Sequence, residues 1–269
     1  MKLGVIGRYS SEFLKMAKEI GYGYVEISAR DFIKEEVPDP GAMAEEVRKE
    51  LEELGLSLSC FGAYDNFLRA TEEEFEGEVE KIRLTLELAE ILGAPVIRVY
   101  GGRFKEEVPK ERWKDLMVEG FKRTLEYAEP QGIKLALDNH GRTTNDAEFE
   151  VEVIRAVGSE NMGANVDTSN FRWFGHSLET VGRFLEMLVP YTLHTHLKDG
   201  DGRSGKMRDY TATALGEGEI DVAAFMRDLV ASGYQGVYTT EYEAKEPRPI
   251  GLKKNYDYLV AVGKELGIH

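Results

Sequence analysis

One short segment, residues 191–199, concentrates side chains that could do chemistry. It reads Tyr-Thr-Leu-His-Thr-His-Leu-Lys-Asp, so that His194 and His196 are followed closely by Lys198. If the segment is a strand, the two histidines point to one face, because side chains two apart on a strand share a face. Imidazole binds divalent metals and transfers protons near neutral pH. We assign the chemical role to His196 and a packing or hydrogen-bonding role to His194.

Acidic residues end three other strand-like runs: Asp138, Asp167 and Glu241. Gathering three carboxylates without a cation is costly, because burial and like charges both raise their pKa values. A bound divalent ion removes this conflict, so the pattern indicates a metal site. A second interpretation of Asp167 stays open, since an aspartate before Thr-Ser-Asn is also a common helix N-cap.

Further polar and aromatic residues at comparable positions could contact a substrate. Glu26 could do so, or it could form an internal ion pair with Arg8 or Arg98. An aromatic cluster after Asp167, which includes Trp173, could cover a sugar, pack in the core or form a subunit contact. The substrate-contact candidates on this basis are Arg8, Glu26, Arg98, Trp173 and His194.

Eight β-rich runs alternate with longer amphipathic segments, which is typical of βαβ units around a parallel sheet. Eight units favour closure into a (β/α)8 TIM barrel over a doubly wound sheet, whose glycine-rich first turn is missing. The C-terminal strand ends of a barrel form its active-site face, so the charged residues above should meet there. The predicted strands are residues 2–7, 24–28, 57–61, 95–100, 133–139, 162–167, 191–197 and 236–241.

One loop gives a false metal signal. Residues 199–204 read Asp-Gly-Asp-Gly-Arg-Ser and match a calcium-binding loop for four residues before arginine takes the place of an oxygen ligand. We interpret them as a flexible loop near the mouth of the site.

Composition limits the class of protein. The chain carries 49 acidic and 34 basic residues, a net charge of −15, which disfavours nucleic acid and anionic membranes as partners. The single cysteine, Cys60, cannot form an internal disulfide, which predicts a reducing, cytoplasmic location. No apolar run approaches the roughly 20 residues that span a bilayer. Residues 1–269 fit one barrel domain, and no linker divides them.

With these residues in view, the sequence resembles the xylose isomerase-like TIM barrel superfamily, in particular its sugar phosphate isomerase/epimerase branch. The resemblance spans the chain. It rests on Leu-Ala-Leu-Asp-Asn-His-Gly at 135–141, Asn-Val-Asp-Thr-Ser-Asn at 165–170, His-Thr-His-Leu-Lys-Asp at 194–199, Leu-Gly-Glu-Gly-Glu-Ile-Asp at 215–221, and Glu241.

The resemblance implies a cofactor and its ligands. One divalent ion is expected, Mn²⁺ above Mg²⁺, Co²⁺ or Zn²⁺, held by Asp138, Asp167, His196 and Glu241. Two positions depart from the family pattern. Asp138 stands where the family usually has glutamate, and Asn170 stands where the ketose 3-epimerases place a histidine that contacts substrate. We keep Asn170 as a substrate-contact candidate.

The resemblance also implies an activity on a small carbohydrate, by proton abstraction beside a carbonyl. The catalytic candidates are Asp138, His140, Lys198 and Glu241, with Glu241 as the base. Aspartate is shorter than glutamate by one bond, roughly 1.5 Å, so His140 or Lys198 is expected to handle the second proton.

An isomerase or epimerase leads the functional interpretations. A dehydratase or lyase on a keto-sugar, keto-inositol or 3-keto-glycoside is the alternative, and a non-catalytic sugar-binding barrel comes third. Cleavage of abasic DNA, found in related barrels, is disfavoured because those enzymes use more metal-binding histidines than the five of this chain can supply. The family pattern implies a homodimer or homotetramer.

Overall fold

A closed barrel of eight parallel strands forms the centre of the molecule. The computed structural model describes residues 1–202 and 209–268. Each predicted strand overlaps one observed barrel strand, so the predicted single-domain TIM barrel is confirmed. The barrel strands are β1 (Leu3–Ile6), β2 (Tyr24–Ser28), β3 (Ser57–Gly62), β4 (Val96–Val99), β5 (Lys134–Asp138), β6 (Met162–Asp167), β7 (Thr192–His196) and β10 (Tyr238–Thr240).

The strands follow the order β10-β1-β2-β3-β4-β5-β6-β7, and the barrel closes between β7 and β10. Leu197 makes the closing bonds: its N–H donates to the carbonyl of Thr239 at 2.7 Å, and its carbonyl accepts from Glu241 at 3.2 Å. Because all eight strands are parallel, their C-terminal ends meet at one rim. Closure therefore brings Glu241, at the end of the last strand, beside the end of β7.

Helices surround the barrel and are delimited by local signals. Ser10, Asp39 and Thr71 act as N-caps, each accepting a backbone N–H from the first turn of its helix. Gly55 and Gly93 end two helices with φ of 61° and 72°, a left-handed conformation that glycine adopts without strain. The helices are α1 (Ser11–Ile20), α2 (Pro40–Leu54), α3 (Glu72–Leu92), α4 (Trp113–Ala128), α5 (Ala147–Val157), α6 (Asn170–Phe174), α7 (Leu178–Leu188), α8 (Val222–Ala231) and α9 (Arg248–Glu265).

A short antiparallel hairpin at the C-terminal rim corrects the interpretation of residues 199–204 as a loop. β8 (Asp199–Asp201) pairs with β9 (Thr211–Thr213), while residues 203 and 204 lie outside the described residues. The Asp199 carboxylate accepts four backbone N–H groups at 2.8–3.1 Å, from residues 200, 216, 218 and 220. Asp199 therefore anchors the Leu-Gly-Glu-Gly-Glu-Ile motif to the rim instead of binding calcium.

The barrel interior is apolar in one layer and charged in another. Cys60 is fully buried and packs with Val96 and Ala136. Glu26 and Arg98 are equally buried, at 0% and 3% exposure, so they need partners inside the protein. No helix within the described ranges is both long and apolar enough to span a bilayer.

Candidate active site

Three predicted metal ligands converge at the C-terminal rim of the barrel. Asp167 and His196 are paired neighbours on β6 and β7, and Glu241 directly follows β10. Each offers one ligand atom, and these atoms all lie within 4.8 Å of one another. His196 Nδ1 is 3.2 Å from Glu241 Oε2.

Lys198 balances the charge of this cluster. Its Nζ lies 3.5 Å from Asp167 Oδ2, 3.5 Å from Glu241 Oε2 and 2.7 Å from Glu243 Oε2. Burial opposes the charged form, but the facing carboxylates outweigh it and hold the Lys198 pKa well above its usual value. Lys198 is therefore an ammonium group at neutral pH.

The two carboxylates of the cluster differ in their readiness to ionise. Burial raises the pKa of Asp167 to about 6, against the opposing influence of Lys198. Burial also acts on Glu241, but Lys198 and the hydrogen bond from His196 outweigh it and hold the Glu241 pKa well below its usual range. Glu241 is therefore the carboxylate that stays ionised under all ordinary conditions.

Glu26 sits behind His196, on the side away from the cluster. Its Oε2 is 2.7 Å from His196 Nε2, whereas Nδ1 faces Glu241. Burial lowers the pKa of His196, but Glu26 and the bond to Glu241 overcome it and raise the value to about 10. A carboxylate on one ring nitrogen orients the other toward a metal, so Glu26 positions His196.

Arg98 joins two carboxylates across the barrel interior. Its Nε donates to Glu26 Oε1 at 2.8 Å and its Nη1 to Asp138 Oδ2 at 2.9 Å. The other oxygen of Asp138 accepts from Asn165 Nδ2 at 3.0 Å. Of the alternatives left open for Glu26, the structure shows the ion pair with Arg98. Among the described residues, Asp138 does not belong to the group of converging ligand atoms formed by Asp167, His196 and Glu241.

His194 belongs to a hydrogen-bonded network below the cluster. Its Nδ1 is 2.8 Å from Asn165 Oδ1, and its Nε2 is 3.2 Å from Ser59 Oγ and 3.0 Å from Thr239 Oγ1. Burial lowers its pKa to about 3, so the ring is neutral. Glu26, His194 and His196 also lie close enough to hold a metal, but their ligand atoms already bond to protein groups. This second grouping is better suited to support the site than to bind an ion.

A cavity of about 270 Å³ opens above the cluster. His140 lies in its wall, its ring 4.6 Å from that of Tyr100. Partial desolvation lowers the His140 pKa although 53% of the side chain is exposed, so the ring is neutral. Arg8 is exposed and is not among the lining residues, so the structure does not support the predicted contact with substrate. The predicted residues that line the cavity are Arg98, Asp138, His140, Asp167, Asn170, Trp173, Lys198 and Glu241.

Asp167 accepts backbone hydrogen bonds near the start of α6, although Ser169 is the N-cap residue of that helix. Its Oδ1 accepts the backbone N–H groups of Ser169 and Asn170, each at 2.9 Å, at the start of α6. Its Oδ2 faces Lys198. These bonds fix the side chain with one oxygen directed to the cluster.

Sequence reasoning missed three residues of the site: Tyr100, Asn165 and Glu243. Asn165 had a usable signal, because it lies two positions before Asp167 on β6 and must share its face. Tyr100 directly follows β4, where a rim residue is expected. Glu243 lies beyond the last strand, and only the folded structure places it against Lys198.

The cluster suits a divalent cation by its chemistry. Two carboxylates and an imidazole form a donor set that Mn²⁺, Zn²⁺ and neighbouring ions accept. The ammonium of Lys198 lies 3.5 Å from one oxygen of each carboxylate, so the cluster attracts positive charge. Asp167, His196 and Glu241 therefore fit a metal, with Glu26 as the outer partner of the histidine.

Comparisons with known proteins extend these observations. A family model described as xylose isomerase-like TIM barrel matches residues 14–262. The inosose isomerase of Bacillus velezensis is 24% identical over 235 residues, 85% of this chain and 81% of that protein. Solved structures that share the fold include one with a bound metal and one with a bound sugar. The IOLI protein with a bound zinc atom has a TM-score of 0.81 at 20% identity, covering 98% of this chain and 99% of the other. The D-psicose 3-epimerase of Clostridium cellulolyticum H10, solved with D-tagatose, has 0.77 at 15%, covering 97% and 99%.

Proposed function

Because the chain belongs to the xylose isomerase-like TIM barrel family, we propose that it is a divalent-metal-dependent isomerase or epimerase of a small keto-sugar or related carbohydrate. The observation that carries the proposal is the convergence of Asp167, His196 and Glu241 beside a cavity of sugar size that Asp167 and Glu241 line. The named activities of the inosose isomerase relative and of the structurally similar epimerase support the same reaction class.

The metal would be held by Asp167, His196 and Glu241. Mn²⁺ is our first choice because two oxygen donors and one imidazole suit a fairly hard ion, and the zinc-containing neighbour keeps Zn²⁺ as the main alternative. A bound divalent ion supplies electrophilic stabilisation of the substrate oxygen. Glu26 would keep His196 oriented while the ion is present.

Glu241 would remove the proton beside the substrate carbonyl. Its carboxylate is ionised, and its side chain is 24% exposed while those of Asp167 and His196 are almost fully buried, so it is the group open to the cavity. The C–H bond breaks, its electron pair moves toward the carbonyl to form an enediolate, and the proton passes to the carboxylate. Lys198, as an ammonium, would donate a proton, and neutral His140 would accept or relay one.

A dehydratase or lyase is the second candidate, because the position of Asp138 disfavours epimerisation through two carboxylates but leaves elimination open. Both oxygens of Asp138 are engaged, by Arg98 and Asn165, so this carboxylate is not free to act as a second base. Epimerisation through two opposed carboxylates would require one. Removal of the substrate proton by Glu241, with Lys198 donating a proton, would serve isomerisation or elimination equally well.

The test is a panel of ketoses, keto-inositols and 3-keto-glycosides incubated with the Mn²⁺-loaded protein in heavy water. We expect one substrate class to gain deuterium at the carbon next to its carbonyl, because the proposed route breaks that C–H bond. An unchanged product mass, apart from deuterium, supports an isomerase or epimerase. A mass lowered by water or a leaving group supports the lyase.

Glu241→Gln is the matched variant, because it preserves the shape of the side chain and removes the base. We expect a loss of exchange of at least about a hundredfold, within the range of general-base contributions. Productive turnover with complete retention of the original hydrogen, or no exchange and no product across the panel, would contradict the proposal.

A further inference from the structure

A second pocket of about 460 Å³ adjoins the cavity above the metal cluster. It is called here the outer pocket, and its own lining consists of Gly102, Arg103, Phe104, Arg142 and Thr143. We propose that the outer pocket binds an anionic group, a phosphate or a carboxylate, carried by the substrate at the end remote from its carbonyl. The inference rests on the proposed function for the sugar part of the substrate.

The outer pocket and the cavity are continuous. Tyr100, His140, Gly141 and Trp173 line both, so one ligand could occupy the two spaces without crossing a wall. A molecule with its carbonyl carbon near Glu241 would extend past His140 into the outer pocket. The anionic group would therefore mark the far end of the same substrate.

Two guanidinium groups reach the outer pocket from neighbouring loops. Arg103 follows β4 and Arg142 follows β5, and these strands are adjacent in the barrel. Neither arginine forms an ion pair with a carboxylate in residues 1–202 or 209–268. In a chain with a net charge of −15, two arginines without acidic partners on one concave surface point to an external anion. The planar guanidinium fork matches both carboxylate and phosphate oxygens.

The two loops are tied together, which keeps the arginines in place. The Thr143 hydroxyl donates to the carbonyl of Gly102 at 2.7 Å, linking the loop after β5 to the loop after β4. The Arg103 N–H donates to Asn66 Oδ1 at 2.8 Å. Both bonds restrain the backbone that carries the arginines, so less order has to be imposed when an anion binds.

Aromatic walls complete the outer pocket. Phe104 is 46% exposed, a large fraction for an aromatic side chain, and its ring packs edge-on against Trp113. The Arg142 guanidinium lies 5.9 Å from the centre of the Phe104 ring. This contact holds the cation on the pocket surface. An apolar wall beside a cation suits the carbon chain next to a phosphate or carboxylate.

The experiment compares ligands that differ only in the terminal group. Isothermal titration of the Mn²⁺-loaded protein would use D-fructose, D-fructose 6-phosphate and D-fructuronate, with inorganic phosphate as the anion alone. We expect at least one of the three anions to bind about tenfold or more tightly than fructose, since charge-assisted bonds from two arginines are added. The fructose 6-phosphate and fructuronate arms decide between phosphate and carboxylate.

Two variants, Arg103→Gln and Arg142→Gln, test whether the preference for anionic ligands arises in the outer pocket. They are titrated separately and combined. We expect the double variant to lose about tenfold or more in anion affinity and to leave the fructose titration unchanged. Arg227→Gln is the matched control, because Arg227 is exposed on α8, outside the lining of both spaces, and its replacement removes the same charge. This control should change anion affinity less than about twofold.

Equal binding of neutral and anionic ligands, or an anion preference that survives in the double variant, would overturn the inference. The titration is independent of turnover, so it separates two failures. An arginine-dependent anion preference without deuterium exchange on any sugar would retain the outer pocket and reject the proposed reaction. Deuterium exchange on neutral sugars, with anion affinity unchanged in the double variant, would retain the proposed reaction and reject the outer pocket as an anion site.

Discussion

His194 and His196 lie on the same face of β7 with ring centres 5.6 Å apart, and their neighbours give them different protonation states. Hydroxyl and amide groups surround His194, which stays neutral. Two carboxylates flank His196, which takes up a proton in the absence of a metal. Their spacing shows that the rings share a face, whereas their chemistry depends on partners from β2, β3, β6 and β10.

Replacement of His196 should weaken metal binding, whereas replacement of His194 should lower the stability of the fold. His196→Ala removes a ligand, so we expect Mn²⁺ affinity to fall by about a hundredfold or more. His194→Ala leaves Asn165, Ser59 and Thr239 without their buried partner, which costs roughly 1–3 kcal/mol and lowers Tm by about 3–10 °C. Mn²⁺ titration and thermal unfolding of both variants give the comparison. Loss of Mn²⁺ binding in a folded His194→Ala protein would reverse the assignment.

Metal binding should strengthen as the pH rises. The pKa of His196 is raised to about 10, so near neutral pH an incoming ion must displace one proton from the ring. Affinity for Mn²⁺ should therefore rise by about tenfold per pH unit between about pH 6 and 8. Below about pH 6 the slope should steepen, because Asp167, with a pKa of about 6, also binds a proton. Titrations in buffers of different ionisation enthalpy measure the protons released, and a pH-independent affinity would contradict this prediction.

At the scale of elements, alternation of strands and helices was sufficient to predict the barrel. The eight β-rich runs carry their own propensity and length, and the breakers at Gly55 and Gly93 mark helix ends locally. The hairpin β8-β9 was missed because each strand has only three residues, too few for a periodic pattern. Its stability depends on bonds between Asp199 and a motif about twenty residues later, which local patterns do not report.

The site was predictable to the extent that strand ends could be located. Asp167, His196 and Glu241 meet because parallel strands end at one rim. The partners of Asp138 could not be predicted in the same way. Its two oxygens accept from Arg98 and Asn165 on the neighbouring strands β4 and β6, and the positions of strand ends do not tell which side chains bond to each other.

Asp199 should control the order of the rim loop that follows β9. Replacement by alanine removes the acceptor of four backbone N–H groups, so we expect Tm to fall by roughly 6 °C or more and residues 215–220 to lose protection from hydrogen exchange. Asp201→Ala is the control, because the Asp201 side chain makes no hydrogen bond within the described residues. Equal protection of residues 215–220 in the two variants would show that the loop is held by other contacts.

At the scale of the whole molecule, the barrel separates positive charge from a strongly negative background. Arg98 and Lys198 neutralise carboxylates inside the site, and Arg103 and Arg142 lie at its outer edge. The remaining balance leaves the chain at −15, which repels polyanions at long range while small anionic ligands can still meet the local arginines.

This charge distribution predicts that the protein neither binds nor cleaves DNA, which is a substrate of related barrels. A DNA duplex carries closely spaced phosphates with condensed counterions. A protein binds it tightly when basic side chains displace those counterions, so a protein without a basic surface binds it weakly. We therefore expect no binding tighter than about 100 μM to an abasic-site duplex at about 0.15 M salt, and no strand cleavage with Mn²⁺ or Zn²⁺ present. Fluorescence anisotropy and gel analysis of a labelled duplex measure both, with an undamaged duplex of the same sequence as control. Cleavage at the abasic site that disappears in His196→Ala would show that the cluster catalyses cleavage of phosphate esters. That result would contradict the proposed activity on carbohydrates.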